Sequence, residues 1–222
     1  MNTFLARVIS VVCTPLLAPV YGLVFLLLCN PFIFGYRSID DPKALLLLIT
    51  VTAATTVIPG LGIFLLKPLG LISDWSLREQ KERTGPYIIA GVFFLWLFQN
   101  LASTNTTPLL FRQFILGGAI GLFLSFFINL FLKVSVHAVG VSGLAGLALF
   151  TWIDWKPPSI HLPAFGGVLQ LDYLWGAATL LVLAGLTGSA RLAIRAHTVR
   201  EVWVGYAVGM AAWILARFFY GG

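Results

Sequence analysis

The sequence predicts an all-α, polytopic membrane protein, and three observations carry that prediction. Of 222 residues, 59% are hydrophobic and only 10% are charged, whereas a soluble domain carries about 25% charged residues. The apolar residues gather in runs near the roughly 20 residues that a helix needs to cross a bilayer. The runs lack the alternation of polar and apolar residues that a lipid-facing barrel requires, so helices must satisfy the backbone in lipid.

The runs fall at about 7–29, 43–66, 86–102, 109–132, 137–152, 171–188 and 201–219. This gives six or seven spans, with seven as the count, in a single domain covering residues 1–222. The first run follows Arg7. At about 22 residues it is too long for a signal-peptide core and reads as a retained span. Asn30 and Pro31 end it, and Asp41 and Pro42 open the second. The third and fifth runs are short for a full crossing. Residues 103–108 form a polar turn without charge. Residues 154–167, with Pro157, Pro158, Pro163, Gly166 and Gly167, read as the longest irregular loop. Neither an internal repeat nor a broken span is evident. Gly117 and Gly121, and Gly205 and Gly209, are small-residue pairs that let helices approach closely. Cys13 and Cys29 lie in apolar sequence and read as small buried residues.

The net charge of +6 points to lipid headgroups or an anionic substrate. Without a long basic run, nucleic acid is not expected as a partner. Seven crossings put Arg7, Lys67, Arg78, Lys81, Arg83, Lys133, Arg191, Arg195 and Arg200 on one face, against Arg37, Lys43, Arg112, Lys156 and Arg217 on the other. Nine against five places the first face in the cytoplasm by the positive-inside rule. If Arg83, Lys133 and Arg191 serve a site instead, the count is six against five and decides nothing.

Three segments of the richer face can converge, because each is two crossings from the next. They are 73–86, the densest run of charge, 133–137 and 189–201. Lys133 and His137 are four apart, as are His197 and Glu201, a spacing that places side chains on one helix face. A carboxylate beside an imidazole can hold one ring nitrogen and leave the other free to act as base or nucleophile. Arginine forks match phosphate oxygens, and lysine adds a point charge. Such a set can move a phosphoryl group without a metal or other cofactor. A metal site at His137, His197 and Glu201 is opposed by the surrounding cations, and His161, on the other face, reads as structural.

This pattern resembles the type 2 phosphatidic acid phosphatase superfamily, with its motifs K-x6-R-P, P-S-G-H and S-R-x5-H-x3-D. Arg191, His197 and Glu201 reproduce the third spacing, with Glu for Asp and Ala190 before the arginine. Ser135 and His137 resemble the serine and histidine of the second, with Val136 for Gly and Lys133 in place of its proline. Arg83 resembles the arginine of the first. Pro86 comes three residues late, no lysine lies seven before Arg83, and Lys81 or Arg78 would substitute. The resemblance covers about residues 74–209 and is that of a divergent, bacterial-type member.

The resemblance implies that His197 attacks phosphorus, Glu201 orients it and His137 protonates the leaving oxygen. Arg83, Lys81, Lys133, Arg191 and Ser135 would bind the phosphate. The expected activity is metal-independent hydrolysis of a lipid phosphomonoester or diphosphate, in a cell membrane such as the bacterial inner membrane, with membrane lipids around it. The side of the site, the headgroup and the number of chains, one or several, stay open. Two other readings are a lipid or anion transporter and an inactive relative that only binds lipid phosphate.

Overall fold

The computed structural model describes residues 2–221 apart from Ser76, Arg78, Asn105, Phe165 and Gly166. Seven helical segments are long and apolar enough to span a membrane: Thr3–Cys29, Pro42–Leu66, Lys81–Thr104, Leu109–Asn129, Val136–Trp155, Tyr173–Ala193 and Val199–Tyr220. All seven expected spans are present. The third and fifth are longer than the apolar runs, because the helices continue through polar residues at their ends. Large apolar side chains such as Phe4, Ile49, Leu61, Val182, Ile214 and Phe218 are exposed. Hydrocarbon tolerates such a surface and water does not. The chain is thus a multi-pass helical membrane protein.

The helices are α1 (Thr3–Val12), α2 (Ala18–Cys29), α3 (Pro42–Thr52), α4 (Ile58–Leu66), α5 (Thr84–Thr104), α6 (Leu109–Asn129), α7 (Val136–Trp155), α8 (Tyr173–Ala193) and α9 (Val199–Tyr220). Helix α9 packs on both α6 and α7, while α5 packs on α6, α8 on α7, and α1 on α8. The glycine pairs set these distances. A Cβ on Gly205 would lie 2.6 Å from the Ser135 carbonyl oxygen, and one on Gly209 would lie 2.5 Å from that of Val139. Only glycine lets α9 lie on the α7 backbone at this spacing. Deeper in the bundle, Leu23, Leu26, Phe111, Ile115, Leu147 and Trp213 share one core. Trp213 donates its indole N–H to the Gly143 carbonyl at 2.7 Å, so this buried ring leaves no polar atom unmet.

Two spans depart from regular helices. The first is broken between α1 and α2, contrary to the sequence expectation. Pro15 has no N–H to give to Val11. The Thr14 N–H takes the Val11 carbonyl instead, at 3.3 Å, and a short 3-10 turn, Pro15–Leu17, restarts the helix. The second span contains a π-helical segment, Ala53–Val57, whose register ends with the Ile58 N–H on the Ala53 carbonyl. Pro59 follows directly, and the wider turn accommodates a residue that cannot donate to Thr55.

The loop expected at 154–167 is instead partly a β-hairpin. Strands β1 (Ser159–Ala164) and β2 (Gly167–Asp172) pair antiparallel, with Ala164 opposite Gly167 and Ser159 opposite Asp172. In a two-stranded hairpin both strands are edges, so Pro163 is tolerated. Ile160 is buried and anchors the hairpin beside α2 and α8. This hairpin belongs to the face opposite the candidate site.

Candidate functional site

The interval between Arg191 and His197 is a helix end, a reversal and a helix start. Arg191 sits in the last turn of α8, where the helix dipole favours a cation. The Ala196 N–H bonds the Arg191 carbonyl at 3.0 Å, and the Arg195 N–H bonds the Leu192 carbonyl at 3.0 Å. With Arg195 at φ +53°, this is a Schellman closure that turns the chain back on itself. Two residues later Thr198 caps α9, its hydroxyl accepting the Glu201 N–H at 3.3 Å. The Glu201 side chain does not close the capping box on the Thr198 backbone. It reaches His197, whose Nδ1 donates to Oε2 at 2.7 Å. The expected pair is present, but His197 precedes the helix, so the pairing is a reach back from its first turn and not a shared helical face.

The α7 start is locked onto this turn. The Ser135 N–H donates to the Glu201 carbonyl at 3.3 Å, and the Ser135 hydroxyl accepts from Ala138 N–H at 3.5 Å. Ser135 is fully buried; its hydroxyl caps α7. Lys133 lies before α7 begins at Val136, so it does not share a helix face with His137 as its spacing suggested. The non-helical residues 133–135 carry it to the same cluster by another route.

Arg83, at the beginning of the third span, is buried. Its Nε donates to the Leu77 carbonyl at 2.9 Å and a terminal nitrogen donates to the Val134 carbonyl at 3.1 Å. It ties Leu77 to the loop before α7 and keeps further N–H donors. Gln80 and Asn129 reinforce that tie. The Asn129 amide donates to the Gln80 carbonyl at 2.9 Å, and the Gln80 amide donates to the Asn129 carbonyl.

His137 is held from a part of the chain that carries no motif. Its Nε2 lies 3.0 Å from the Ser10 carbonyl oxygen. A carbonyl can only accept, so Nε2 carries the proton.

These pieces form one electrostatic cluster. Arg83, Lys133 and Arg191 all act on His197, and Arg191, His197 and Arg83 act on His137. Glu201 is the carboxylate within it, with Glu79 at the edge beside Lys133. Burial, then Arg83, Arg191 and Lys133, push the His197 imidazole down to about 3. Burial and Arg83 lower Lys133 from the usual ammonium range. His197 is therefore neutral near pH 7, with Nδ1–H on Glu201 and a lone pair on Nε2. The Arg191 Nε is buried with no hydrogen-bond partner among the described residues. The Tyr87 hydroxyl is buried beside Arg83 without a hydrogen bond of good geometry.

The structure thus brings together Arg83, Lys133, Ser135, His137, Arg191, His197 and Glu201. Lys81 is exposed, and among the described residues no charge contact joins it to the cluster. Arg78 lies outside the described residues. His161 is exposed on β1, on the other face. Among the described residues, no three His, Cys, Asp or Glu side chains lie together as a metal site would need. The Ser10 carbonyl, Gln80 and Asn129 were not legible in the sequence, because main-chain acceptors and uncharged amides carry no spacing signal. Compared with known proteins, the chain matches no family model, no curated protein and no solved structure.

Proposed function

We propose that the protein is a metal-independent lipid phosphate phosphatase working through a phosphohistidine. One observation carries this reading: three cations and two histidines meet around Glu201, and the buried Arg191 Nε has no partner among the described residues. Uncompensated buried charge is costly, and a bound phosphate would offset it. His197 is a neutral imidazole pinned by Glu201, the arrangement of an activated nucleophile.

In this mechanism the His197 Nε2 attacks phosphorus as the ester P–O bond breaks, and His137 gives a proton to the leaving oxygen. Arg83, Arg191 and Lys133 hold the phosphoryl oxygens and stabilise the charge of the transition state. Water then cleaves the N–P bond, releasing phosphate. The cluster lies at span ends, so the lipid's phosphate would enter at the interface with its tails among the helices. The motif spacing resembling the type 2 phosphatidic acid phosphatases supports the same reading. Phosphatidate, phosphatidylglycerophosphate and polyprenyl (di)phosphate all fit this chemistry.

The test is release of inorganic phosphate from a panel of these lipids by purified protein in EDTA. Activity that vanadate inhibits and His197→Ala abolishes is expected; full activity in His197→Ala would sink the mechanism. The broken first span favours a second reading, a lipid or anion transporter, since transporters use discontinuous helices. Lipid movement without phosphate release would select it. Vanadate binding without turnover of any lipid phosphate would select an inactive relative.

A further inference from the structure

Resting on the phosphatase reading, we infer that the proton given to the leaving oxygen enters on the substrate's own phosphate, and that the Ser10 carbonyl, released by Pro15, positions His137 to accept it.

In an unbroken helix the Ser10 carbonyl would accept from the Thr14 N–H. Pro15 supplies no N–H for Val11, so Thr14 turns to Val11 and Ser10 is set free. His137 takes up the freed oxygen across 127 residues of sequence. The break is a fixed part of the fold, because side chains from α2 and from the second span meet its carbonyls as well. The Tyr21 hydroxyl donates to Val12 at 2.7 Å, and the Thr56 hydroxyl donates to Leu16 at 2.8 Å.

The consequence is a tautomer. A neutral imidazole carries one proton, and Ser10 holds it on Nε2, so the nitrogen left for the site is Nδ1 with a lone pair. The charged and titratable groups facing this ring are Arg191 from α8, His197 from the turn before α9 and Arg83 from the start of the third span. Helix α1 brings it the Ser10 carbonyl. His197, with its proton on Nδ1 toward Glu201, likewise presents a lone pair on Nε2. Two lone pairs are thus left for a phosphate bound in the cluster. A dianion offers only acceptors to them, whereas a monoanion keeps one P–O–H that can donate to the His137 Nδ1.

The transfer then balances without an outside acid. The phosphate hydroxyl gives its proton to the His137 Nδ1. The His197 Nε2 forms the N–P bond as the ester P–O bond breaks. The departing oxygen takes the proton from the His137 Nδ1 and leaves as the alcohol, and His137 is neutral again. Ser10 and Pro15 touch no reacting atom in this scheme; they are positioning residues.

Nitrogen-15 NMR of histidine-labelled protein in detergent tests the tautomer without turnover. The three histidines are assigned with His161→Ala and His197→Ala. The expected His137 signals are those of an Nε2–H imidazole near neutral pH; an Nδ1–H or doubly protonated ring would overturn the inference. Pro15→Ala restores the missing N–H and should move His137 away from that tautomer. It should also lower kcat on an alkyl phosphate by about tenfold with little change in KM, while Pro19→Ala leaves both unchanged. A wild-type nitrogen spectrum in Pro15→Ala would overturn the positioning role.

The proton source is read from kcat/KM against pH for a lipid phosphate and its phosphorothioate, which differ in second pKa. The falling limb should lie near the ester's second pKa, about 6, and should move with the substrate. A limb at one pH for both would place the proton on the enzyme. Failure to hydrolyse any lipid phosphate would overturn the phosphatase reading, and the proton assignment with it. The nitrogen spectrum would still report whether Ser10 sets the tautomer.

Discussion

Arg217 and Arg191 both lie in the last turn of a long helix, at opposite faces of the bundle, and their guanidinium groups are treated in opposite ways. Arg217 donates twice to Asp154, at 2.6 and 3.1 Å, and lies over the Phe150 ring. The same face uses Asp41 to cap α3, and the N–H groups of Lys43 and Arg37 hold its carboxyl below the usual carboxylate range. Among the described residues, no carboxylate pairs with Arg191 as Asp154 does with Arg217. Arg191 shares a cluster with Arg83, Lys133 and two histidines, and its Nε has no partner among the described residues. Arg217 and Asp41 use their charges to close the structure. Around Arg191 three cations gather with Glu201 as the central carboxylate, an excess that stability alone does not favour and a phosphate ligand would.

That contrast can be broken most severely at the proposed nucleophile. His197→Ala should lower phosphate release by roughly a thousandfold or more, while His161→Ala, on the hairpin, should leave it unchanged; steady-state rates on one lipid phosphate decide. Next comes the arginine pair. Arg191→Ala should cost on the order of a hundredfold or more in kcat/KM. Arg217→Ala should keep activity and cost at most about 1 kcal/mol of stability, because its ion pair is partly exposed and screened. Equal losses in the two variants would erase the distinction between the faces.

Smaller effects sharpen it. Gly205→Ala forces a Cβ against the Ser135 carbonyl and should destabilise by about 1–3 kcal/mol, read as a lower thermal midpoint with weakened activity. His197 also links stability to pH. Its folded value, about 3, lies below the unfolded value of about 6.5. The unfolded chain therefore binds the proton first, and stability is full above pH 6.5 and lost as pH falls toward 3. His197→Gln should flatten the fall in thermal midpoint over that window; an unchanged slope would contradict burial among cations. The smallest change expected is at Arg195, held at φ +53°. Glycine there should stabilise by about 0.5–1 kcal/mol without altering the rate.

The spans were legible because bilayer thickness imposes a length that composition reveals directly. The hairpin at 159–172 was not, since Pro163 and the surrounding glycines read as loop punctuation. Nor was the break at Pro15, because a single proline within an apolar run does not say whether the helix kinks or stops. In the site, the five residues between Arg191 and His197 were readable as spacing, and the structure supplies the cause, a Schellman reversal followed by an N-cap. The same logic misplaced Lys133, since spacing of four assumes a helix that begins only at Val136. Lys81 carried the right charge in the right segment and is exposed. The partner of His137 could not be read at all, because Ser10 contributes a backbone oxygen that exists only once the first span breaks.

The most direct test is to trap the covalent intermediate. Protein incubated with a phosphorus-labelled lipid phosphate, quenched in alkali and digested, should carry one labelled phosphoryl group on His197, found by mass spectrometry on the peptide that also holds Glu201. The label should be absent from His197→Ala and should chase into inorganic phosphate when unlabelled lipid is added. Turnover with no label on His197, or with label on another residue, would contradict the account.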